Sequence, residues 1–297
     1  MLREGCIRAT TPGWLDVAVA VTTGATQTAQ DVHGLQATSA IVLGRLLTSA
    51  GLMAATANVE GKTSLQVLSR GRTGQLLVDA TEGGALRGLI KQGKLAFPRT
   101  GGEAVDGRRS VGAAVLPGEV SAVRRRHTGE YHQSMTPLQT GEIDDDLQSF
   151  LERSDQVPTV LVADTLLDET GRITRSAGIL VQALPDGDRA RLAEIGRQLT
   201  GGRFADLLRG AGSTEDLLRT TVPEAERVDV DLPLRWFCPC SRDRAENAVR
   251  LMGQPELAHM VVEGQPVVID CDFCRSTYEF SIDELGQILA ELTTTRA

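Results

Sequence analysis

Cysteine is scarce in this sequence, and long apolar segments are missing from it. Five of the 297 residues are cysteine, which is too few for the disulfide framework of a secreted protein of this size. The opening residues Met1–Cys6 are not followed by the apolar stretch of a secretory signal. No run approaches the ~18 apolar residues of a membrane span. These absences predict a cytoplasmic protein without a membrane segment.

Positive charge is also scarce, above all near the C-terminus. The formal net charge is −8. Between Cys238 and Ala297, five Arg and no Lys stand against ten Asp plus Glu, a difference of −5. Modules that bind nucleic acid are usually basic, and acidic membranes attract basic surfaces. We therefore expect neither nucleic acid nor a membrane as a partner.

What is present has the composition of a folded protein, with 41% hydrophobic and 24% charged residues. Apolar runs on either side of turn residues predict hairpins around Gly71–Gly74 and Asp168–Gly171. The segments Thr26–Val59 and Asp144–Ser154 predict one long helix and one short helix. The fold class expected is α+β, beginning with a mixed α/β domain with antiparallel sheets over residues 1–185.

The character of the chain changes after Pro185. Residues 186–229 predict short helices, interrupted at Gly201–Gly202 and again at Gly210–Gly212. Each interior Gly costs a helix roughly 1 kcal/mol relative to Ala, so this segment is interpreted as a metastable helical linker. Residues 230–297 are expected to form a small C-terminal zinc-binding domain.

Four of the five cysteines lie in that last segment, as two close pairs. They are Cys238, Cys240, Cys271 and Cys274. Two close pairs separated by a few tens of residues are typical of one tetrahedral thiolate zinc site. Structural zinc contributes on the order of 10 kcal/mol to such small folds. Disulfides that close loops of one or two residues would constrain the chain far less than the ~3 kcal/mol of a 15-residue loop. Oxidation that expels zinc should therefore unfold the module.

Other candidate residues have structural interpretations. Cys6 is interpreted as an incidental thiol and His259 as a surface or packing residue. The run Arg124–His127 is interpreted as a solvated strand end, with a patch for an acidic partner as the alternative, and Asp144–Asp146 as the acidic first turn of a helix. Since the sequence contains neither a nucleophile elbow nor a phosphate-binding loop, an enzyme is not expected.

Two segments around the cysteines carry a specific pattern, Phe237–Arg244 and Cys271–Cys274, the second followed by Tyr278 and Phe280. The Cys-x-Cys pair, the Cys-Ser-Arg run and the distance to Cys-x-x-Cys together resemble the redox-regulated 33 kDa chaperonin family. Segments with the same resemblance extend over nearly the whole chain: Leu43–Arg45, Arg87–Gly88, Gly141–Ile143, Ser154–Pro158 and Ala177–Pro185.

The resemblance implies an ATP-independent holdase chaperone that is inactive while reduced and bound to one Zn²⁺ per chain. Oxidant under unfolding conditions would form the disulfides Cys238–Cys240 and Cys271–Cys274 and release the zinc. The linker would then unfold and expose apolar surface to unfolding client proteins. The resemblance further implies a monomer when reduced and a homodimer when oxidised.

The sequence departs from the family pattern at three places. Arg275 follows the last cysteine where a Gly is usual, so the second knuckle lacks a residue that adopts positive φ easily. This chain has Ser154-Asp155-Gln156 where the family usually has Ser-Glu-Gln, and Gly178-Ile179 where the family usually has two Gly. None of these positions is a candidate ligand.

Two alternative functions belong to other classes. One is a thiol-disulfide oxidoreductase that uses Cys271 and Cys274, although a Cys-x-x-Cys motif beside another cysteine pair is more often bound to zinc. The other is a constitutive zinc-ribbon module that binds protein partners and retains zinc on oxidation.

Overall fold

A glycine divides the first apolar segment into two helices, so the prediction of one long helix over Thr26–Val59 is wrong. The computed structural model describes residues 3–56, 61–96, 104–105 and 108–294, and residue 59 lies outside these ranges. It has α1 (Thr23–His33) and α2 (Ala37–Thr56). Gly34 has φ 58° and its N–H donates to the carbonyl of Gln30. A left-handed residue after the last turn is a common helix end, and Gly adopts it without steric cost.

Helix α2 is apolar enough and long enough to span a membrane by length and composition, contrary to the expectation that no run of the sequence approaches a membrane span. Its most apolar window has a mean hydropathy of 1.4, but 89% of that window is buried inside the protein. Sixteen of its residues, from Thr38 to Met53, are buried. A mostly apolar helix that is covered on all sides is the central element of a core.

The chain divides into two units, residues 1–237 and residues 238–297. The α-helices that complete the first unit are α3 (Gly112–Val115), α4 (Ile143–Phe150), α5 (Arg189–Leu199), α6 (Arg203–Gly210) and α7 (Thr214–Thr221), and a π-helix (Leu151–Asp155) continues α4. Its strands are β1 (Gly5–Thr10), β2 (Leu15–Val21), β3 (Gly61–Ser69), β4 (Gln75–Thr81), β5 (Ala85–Ile90), β6 (Ala104–Val105), β7 (Arg108–Arg109), β8 (Gly118–Arg126), β9 (Tyr131–Pro137), β10 (Thr159–Leu167), β11 (Ile173–Ala183), β12 (Glu226–Leu232) and β13 (Arg235–Trp236).

Two larger sheets organise this unit. The first has the order β10-β11-β2-β1-β12 and the second the order β13-β5-β4-β3-β8-β9. Both predicted hairpins, β3–β4 and β10–β11, are present and antiparallel. The α+β class with antiparallel sheets is confirmed, and the one parallel pair in the described residues of these two sheets is β13 with β5.

The five-stranded sheet separates two apolar clusters. Strand β2 is buried along its whole length, because its alternate side chains face opposite sides of the sheet. Ala18 and Ala20 join a cluster that contains α2, whereas Val17, Val19 and Val21 join a second cluster. Helices α5, α6 and α7 cover this second side with apolar side chains that include Leu192, Ile195, Leu199, Phe204, Leu208, Leu217 and Leu218.

Helices α5, α6 and α7 are the short helices expected after Pro185. Helix α5 ends at Leu199, just before Gly201, and α6 ends at Gly210. Asp188 and Ser213 cap α5 and α7 by accepting hydrogen bonds from the N–H groups of Arg191 and Asp216. Strand β12 crosses the predicted boundary between residues 229 and 230 and pairs with β1. The division into residues 1–185, 186–229 and 230–297 describes functional roles and stays a prediction.

The second unit contains α8 (Arg242–Leu251), α9 (Gln254–Glu263), β14 (Val267–Asp270), β15 (Thr277–Phe280) and α10 (Ile282–Thr294). Seven buried residues form its core: Ala245, Val249, Leu257, Val267, Phe280, Leu285 and Ile288. A capping box precedes α10. The N–H of Ser281 donates to Glu284 Oε2 at 2.8 Å, and the N–H of Glu284 donates to Ser281 Oγ at 3.4 Å.

Candidate metal centre

A short hairpin presents the second pair of cysteines. Strands β14 and β15 pair as far as Asp270 and Thr277, and the chain turns between them. The N–H of Cys271 donates to the carbonyl of Ser276 at 2.9 Å, and the N–H of Arg275 donates to the carbonyl of Cys271 at 2.8 Å. These two backbone bonds fix the turn, so the Sγ atoms of Cys271 and Cys274 are held in place by main-chain geometry.

The first pair is fixed by the helix that follows it. Ser241 caps α8 by accepting a hydrogen bond from the N–H of Arg244 at 3.3 Å. Because the cap residue directly follows Cys240, the start of the helix sets the position of that cysteine. Arg242 extends back over the ring of Phe280, with 4.6 Å between the guanidinium carbon and the ring centroid. That contact ties the first turn of α8 to the buried core of the unit.

The four Sγ atoms lie within 4.8 Å of one another. Cys238 and Cys271 are 3.7 Å apart and Cys240 and Cys274 are 3.1 Å apart, measured between sulfurs. Thiolates at about 2.3 Å from a tetrahedral metal ion lie roughly 3.8 Å from each other. Disulfide-bonded sulfurs would lie at about 2.05 Å, so all four cysteines are free thiols. Each is half-buried, and the arrangement could hold one metal ion.

Two neighbours of the sulfurs were not predicted as part of the site. The hydroxyl of Tyr278 donates to Cys240 Sγ at 3.2 Å, and Ser276 Oγ lies 3.2 Å from Cys274 Sγ. The sequence offered a signal for each residue. Ser276 lies two positions after a candidate ligand, and Tyr278 lies in the strand that leaves the hairpin. Outer hydrogen bonds of this kind orient metal ligands and tune their basicity.

These contacts give the thiols unequal acidity. Partial burial, the largest influence on Cys274, acts to raise its pKa. Hydrogen bonds with Ser276, Cys240 and Cys271 outweigh burial and lower the pKa of Cys274 to about 6. The hydroxyl of Tyr278 favours the thiolate of Cys240, but burial and the hydrogen bond with Cys274 outweigh it and raise the pKa of Cys240. The hydrogen bond to Cys240 raises the pKa of Tyr278 to about 12. One thiolate is therefore ready at neutral pH, and a bound cation would deprotonate the others.

Arg275 adopts the backbone conformation that the missing Gly would adopt easily. Its φ is 60°, in the left-handed region, where a residue with a Cβ is roughly 1–2 kcal/mol less stable than in the right-handed region. Its guanidinium lies 3.7 Å from Asp272 Oδ1 and both side chains are exposed, so this weak ion pair does not offset the strain.

Replacing Arg275 by Gly is expected to stabilise the metal-loaded second unit by about 1 kcal/mol. Gly adopts this conformation without a steric cost, and the greater entropy of Gly in the unfolded chain offsets only part of that gain. For a domain of this size that corresponds to a rise in thermal midpoint of roughly 4–8 °C. Arg275→Ala, which removes the ion pair and keeps the Cβ, is the matched control and should show no such rise. A lower midpoint for Arg275→Gly would contradict the strain argument.

The remaining candidates are not members of the cluster of four sulfurs. Cys6 is fully buried in β1, and burial raises the pKa of this thiol to about 12. His259 Nε2 lies 3.3 Å from Glu263 on the exposed side of α9. Arg124 forms an ion pair of 2.7 Å with Asp155, so it is less solvated than a free strand end.

The acidic run lies at the start of α4, as predicted, and two of its members also stabilise backbone. Asp146 is 2% exposed and accepts from the N–H groups of Gln139, Thr140 and Gly141 at 2.7–3.0 Å. Asp144 accepts from the N–H of Ala163 in β10 at 3.0 Å. The run therefore fixes a loop and a strand to the helix, in addition to its favourable position at a helix N-terminus.

Comparison with known proteins covers the whole chain. The family model described as "Hsp33 protein" matches residues 6–281. The "33 kDa chaperonin" of Synechococcus elongatus is 33% identical over 99% of both chains. That of Staphylococcus carnosus is 27% identical over 92% of both. A crystal structure of the 33 kDa chaperonin of Thermotoga maritima has the same fold, with a TM-score of 0.78, 22% identity, and coverage of 98% of this chain and 100% of that one.

Proposed function

The chain belongs to the Hsp33 family, and on that premise we propose that it is a redox-regulated, ATP-independent holdase chaperone. In the reduced state, Cys238, Cys240, Cys271 and Cys274 would bind one Zn²⁺ per chain, and the chaperone would be inactive. On oxidation it would lose the zinc, unfold its linker and hold unfolding or oxidatively damaged proteins in solution. The observation that carries the proposal is the packing of α5, α6 and α7 over an apolar cluster on one face of the five-stranded sheet.

Zinc is the metal that best suits the donor set. Four thiolates in a tetrahedron are soft ligands and are typical of structural zinc sites. Oxidation would form Cys238–Cys240 and Cys271–Cys274. Formation of each disulfide from two thiolates transfers two electrons to the oxidant, and hydrogen peroxide, for example, takes up these electrons with two protons and becomes two waters. A disulfide sulfur no longer carries the negative charge that binds the cation, so the metal leaves.

The linker helices are suited to reversible unfolding. They have 11, 8 and 8 residues, and isolated helices shorter than about 12–15 residues are marginal in water. Their stability must therefore come from packing against the sheet. Buried side chains at the contact include Leu192 and Ile195 of α5 and Phe204 of α6.

A small number of polar contacts add to that packing. Arg191 forms two hydrogen bonds with the carboxylate of Glu224, of 2.6 and 3.0 Å, and this ion pair lowers the pKa of Glu224. Arg175 of β11 donates to the carbonyls of Leu208 and Ala211 at 2.7 and 2.6 Å, which satisfies the C-terminal end of α6. Partly exposed contacts of this kind contribute little individually, so the docked state depends mainly on its apolar contacts.

Release of the linker would expose a continuous aliphatic surface for clients. The face beneath it consists of branched side chains of β1, β2, β10 and β11: Ile7, Val17, Val19, Val21, Val160, Val162, Ile179 and Val181. A large exposed apolar patch without side-chain specificity is a surface that binds many unfolded segments. Client proteins are therefore the proposed partners, whereas nucleic acid and membranes are not.

Further aspects of the proposal follow from the family. We propose a cytoplasmic location, where oxidation is a signal rather than the resting condition. The chaperone would be a monomer when reduced and a homodimer when oxidised. It would hold clients without chemical turnover, so no enzymatic activity is proposed.

Peroxide combined with mild heating tests the proposal. About one zinc per chain should be released, helical circular dichroism should fall in parallel, and suppression of client aggregation should begin at the same time. The reduced, zinc-loaded protein under the same heating is the control. Equal protection of clients by the reduced protein would contradict the redox switch, and helix loss that precedes zinc loss would contradict its coupling to the metal.

The low pKa of Cys274, about 6, also suits the attacking thiolate of a thiol-disulfide oxidoreductase. That second candidate function predicts turnover of a dithiol substrate that is lost in Cys271→Ser. The constitutive zinc-ribbon module predicts instead that peroxide leaves the zinc bound. Measurement of zinc content and of turnover on the same oxidised sample separates the three functions.

A further inference from the structure

The residues just before the first cysteine follow the edge of the second sheet. After β12 the chain runs through Pro233 and Leu234 into β13, which pairs in parallel with Ala85 and Leu86 of β5. Without β13, β5 would be the edge strand of that sheet. We call residues 233–237 the edge segment, and Cys238 follows it directly.

The edge segment and a histidine satisfy three alternate carbonyls of β5 and the turn before it. The N–H of Arg235 donates to the carbonyl of Gly84 at 2.9 Å, and the N–H of Phe237 donates to that of Leu86 at 2.9 Å. His33 Nε2 donates to the carbonyl of Gly88 at 3.0 Å. Every second backbone carbonyl along this edge thus accepts a hydrogen bond, as when a peptide strand is added to the open edge of a sheet.

Two glycines make room for the edge segment. A Cβ at Gly84, which has φ +76°, would lie 2.0 Å from the carbonyl oxygen of Pro233. A Cβ at Gly51 of α2 would lie 3.1 Å from a methyl of Leu234. Leu234 is only 2% exposed, because it fills the space that Gly51 leaves beside Leu86. The channel formed by β5, Gly51 of α2 and His33 is therefore shaped to accept backbone at one point and an aliphatic side chain at another.

Side chains of the edge segment alternate between the core and solvent. Leu234 is buried in the cluster around α2, and Trp236 packs against the same cluster. The ring of Trp236 meets that of His33 edge to face, with 6.3 Å between centroids. Arg235 and Phe237 are exposed on the other side. A pattern of apolar, polar and aromatic residues with period two is what an extended strand presents to a half-buried site.

We propose that this channel, formed by β5, Gly51 of α2 and His33, is a binding site for extended apolar segments of client proteins, and that the edge segment occupies it in the resting state as an autoinhibitory strand. The inference rests on the proposed holdase function and adds a second client site, separate from the sheet face beneath α5–α7. The edge segment itself indicates the chemistry of the client segment. Its backbone hydrogen bonds and its two anchoring side chains, Leu234 and Trp236, show which ligand the channel accepts.

An unfolding client supplies such ligands in quantity. Hydrogen bonds to the main chain are independent of client sequence, whereas the space beside Gly51 selects an aliphatic residue two positions before an aromatic one. An uncovered sheet edge is also prone to pair with other chains. Covering that edge with the chain's own residues in the resting state would prevent such pairing until activation.

The test uses the full-length, reduced, zinc-loaded chain, so it does not depend on the redox switch. The double variant Leu234→Ser with Trp236→Ser removes both anchors of the edge segment. A fluorescent peptide with the sequence Pro-Leu-Arg-Trp-Phe should bind this variant at least about tenfold more tightly than wild type, because an internal competitor no longer occupies the site. Arg235→Ser, which alters the exposed side of the same strand, is the matched control and should bind like wild type.

Further measurements separate a specific site from nonspecific binding. A peptide with Ser in place of its Leu and Trp should not bind the double variant, and a photoreactive group at the Trp position should label β5 or α2. If circular dichroism shows that the double variant is unfolded, Trp236→Ala, which retains the buried Leu234, replaces it with the same expected direction. Equal peptide binding by wild type and a folded variant, or labelling elsewhere, would overturn the proposal. Failure of oxidised wild type to protect clients would instead overturn the proposed function and leave this peptide result intact.

Discussion

Replacing Cys238 by Ser is expected to abolish stoichiometric zinc binding and to unfold residues 238–297. A serine hydroxyl stays protonated at neutral pH and does not replace a thiolate ligand, so three sulfurs remain for a four-coordinate metal. The second unit has a core of seven buried residues, and structural zinc contributes on the order of 10 kcal/mol to modules of this kind. The free energy of folding that is lost with the metal should therefore exceed what the small core can supply.

Zinc content and hydrogen exchange measured on the same sample check this prediction. Zinc should fall from about one per chain to well below that value, and amides of α8, α9 and α10 should exchange rapidly while those of α2 stay protected. Cys6→Ala is the control, because that thiol is fully buried in the first unit. It should retain the zinc and the response to peroxide. A Cys238→Ser protein with full zinc content and a protected α10 would show that this cysteine is not a ligand.

Replacing Phe204 by Ala is expected to activate the chaperone without an oxidant. Phe204 is 2% exposed in α6 and packs in the cluster between the linker helices and the sheet. Truncation of a buried Phe typically destabilises a protein by about 3–5 kcal/mol. Here the loss would fall on a helix of eight residues that has little intrinsic stability. The linker should undock and expose the sheet face while the zinc stays bound.

Aggregation suppression by the reduced protein, together with its zinc content, measures this effect. Phe150→Ala is the matched control, since Phe150 is equally buried but lies in α4 and belongs to the other cluster. The free energy of unfolding of that variant should fall by a similar amount, and the variant should remain inactive while reduced. If both variants protect clients equally, general destabilisation rather than linker release would explain the activity.

The parts of the structure that local chemistry determines could be predicted from the sequence. The helix starts at Ser241 and at the pair Ser281 and Glu284 have a local signal, because a cap involves residues three positions apart. The four cysteines were identified as one cluster because their spacing is itself the signal. The glycines after Leu199 and at Gly210 indicated the ends of α5 and α6 in the same way.

Other features depend on contacts between distant residues and could not be predicted. The apolar pattern continues through Gly34, so it favoured one helix where tertiary packing requires two. The parallel pairing of β13 with β5 joins residues about 150 positions apart, and a strand of two residues has no periodicity of its own. The hydrogen bond from Tyr278 to Cys240 depends on the register of the β14–β15 hairpin and on where α8 begins, which sequence spacing does not specify.

The position of the five-stranded sheet between two separate clusters has a consequence for how the protein melts. Each face of β2 belongs to a different cluster, so loss of the outer helices leaves a sheet packed on α2 with its own interior. Heating should then produce at least three transitions, one each for the metal unit, the linker helices and the central sheet with α2. The enthalpy measured by calorimetry should accordingly exceed the van't Hoff enthalpy of any single transition.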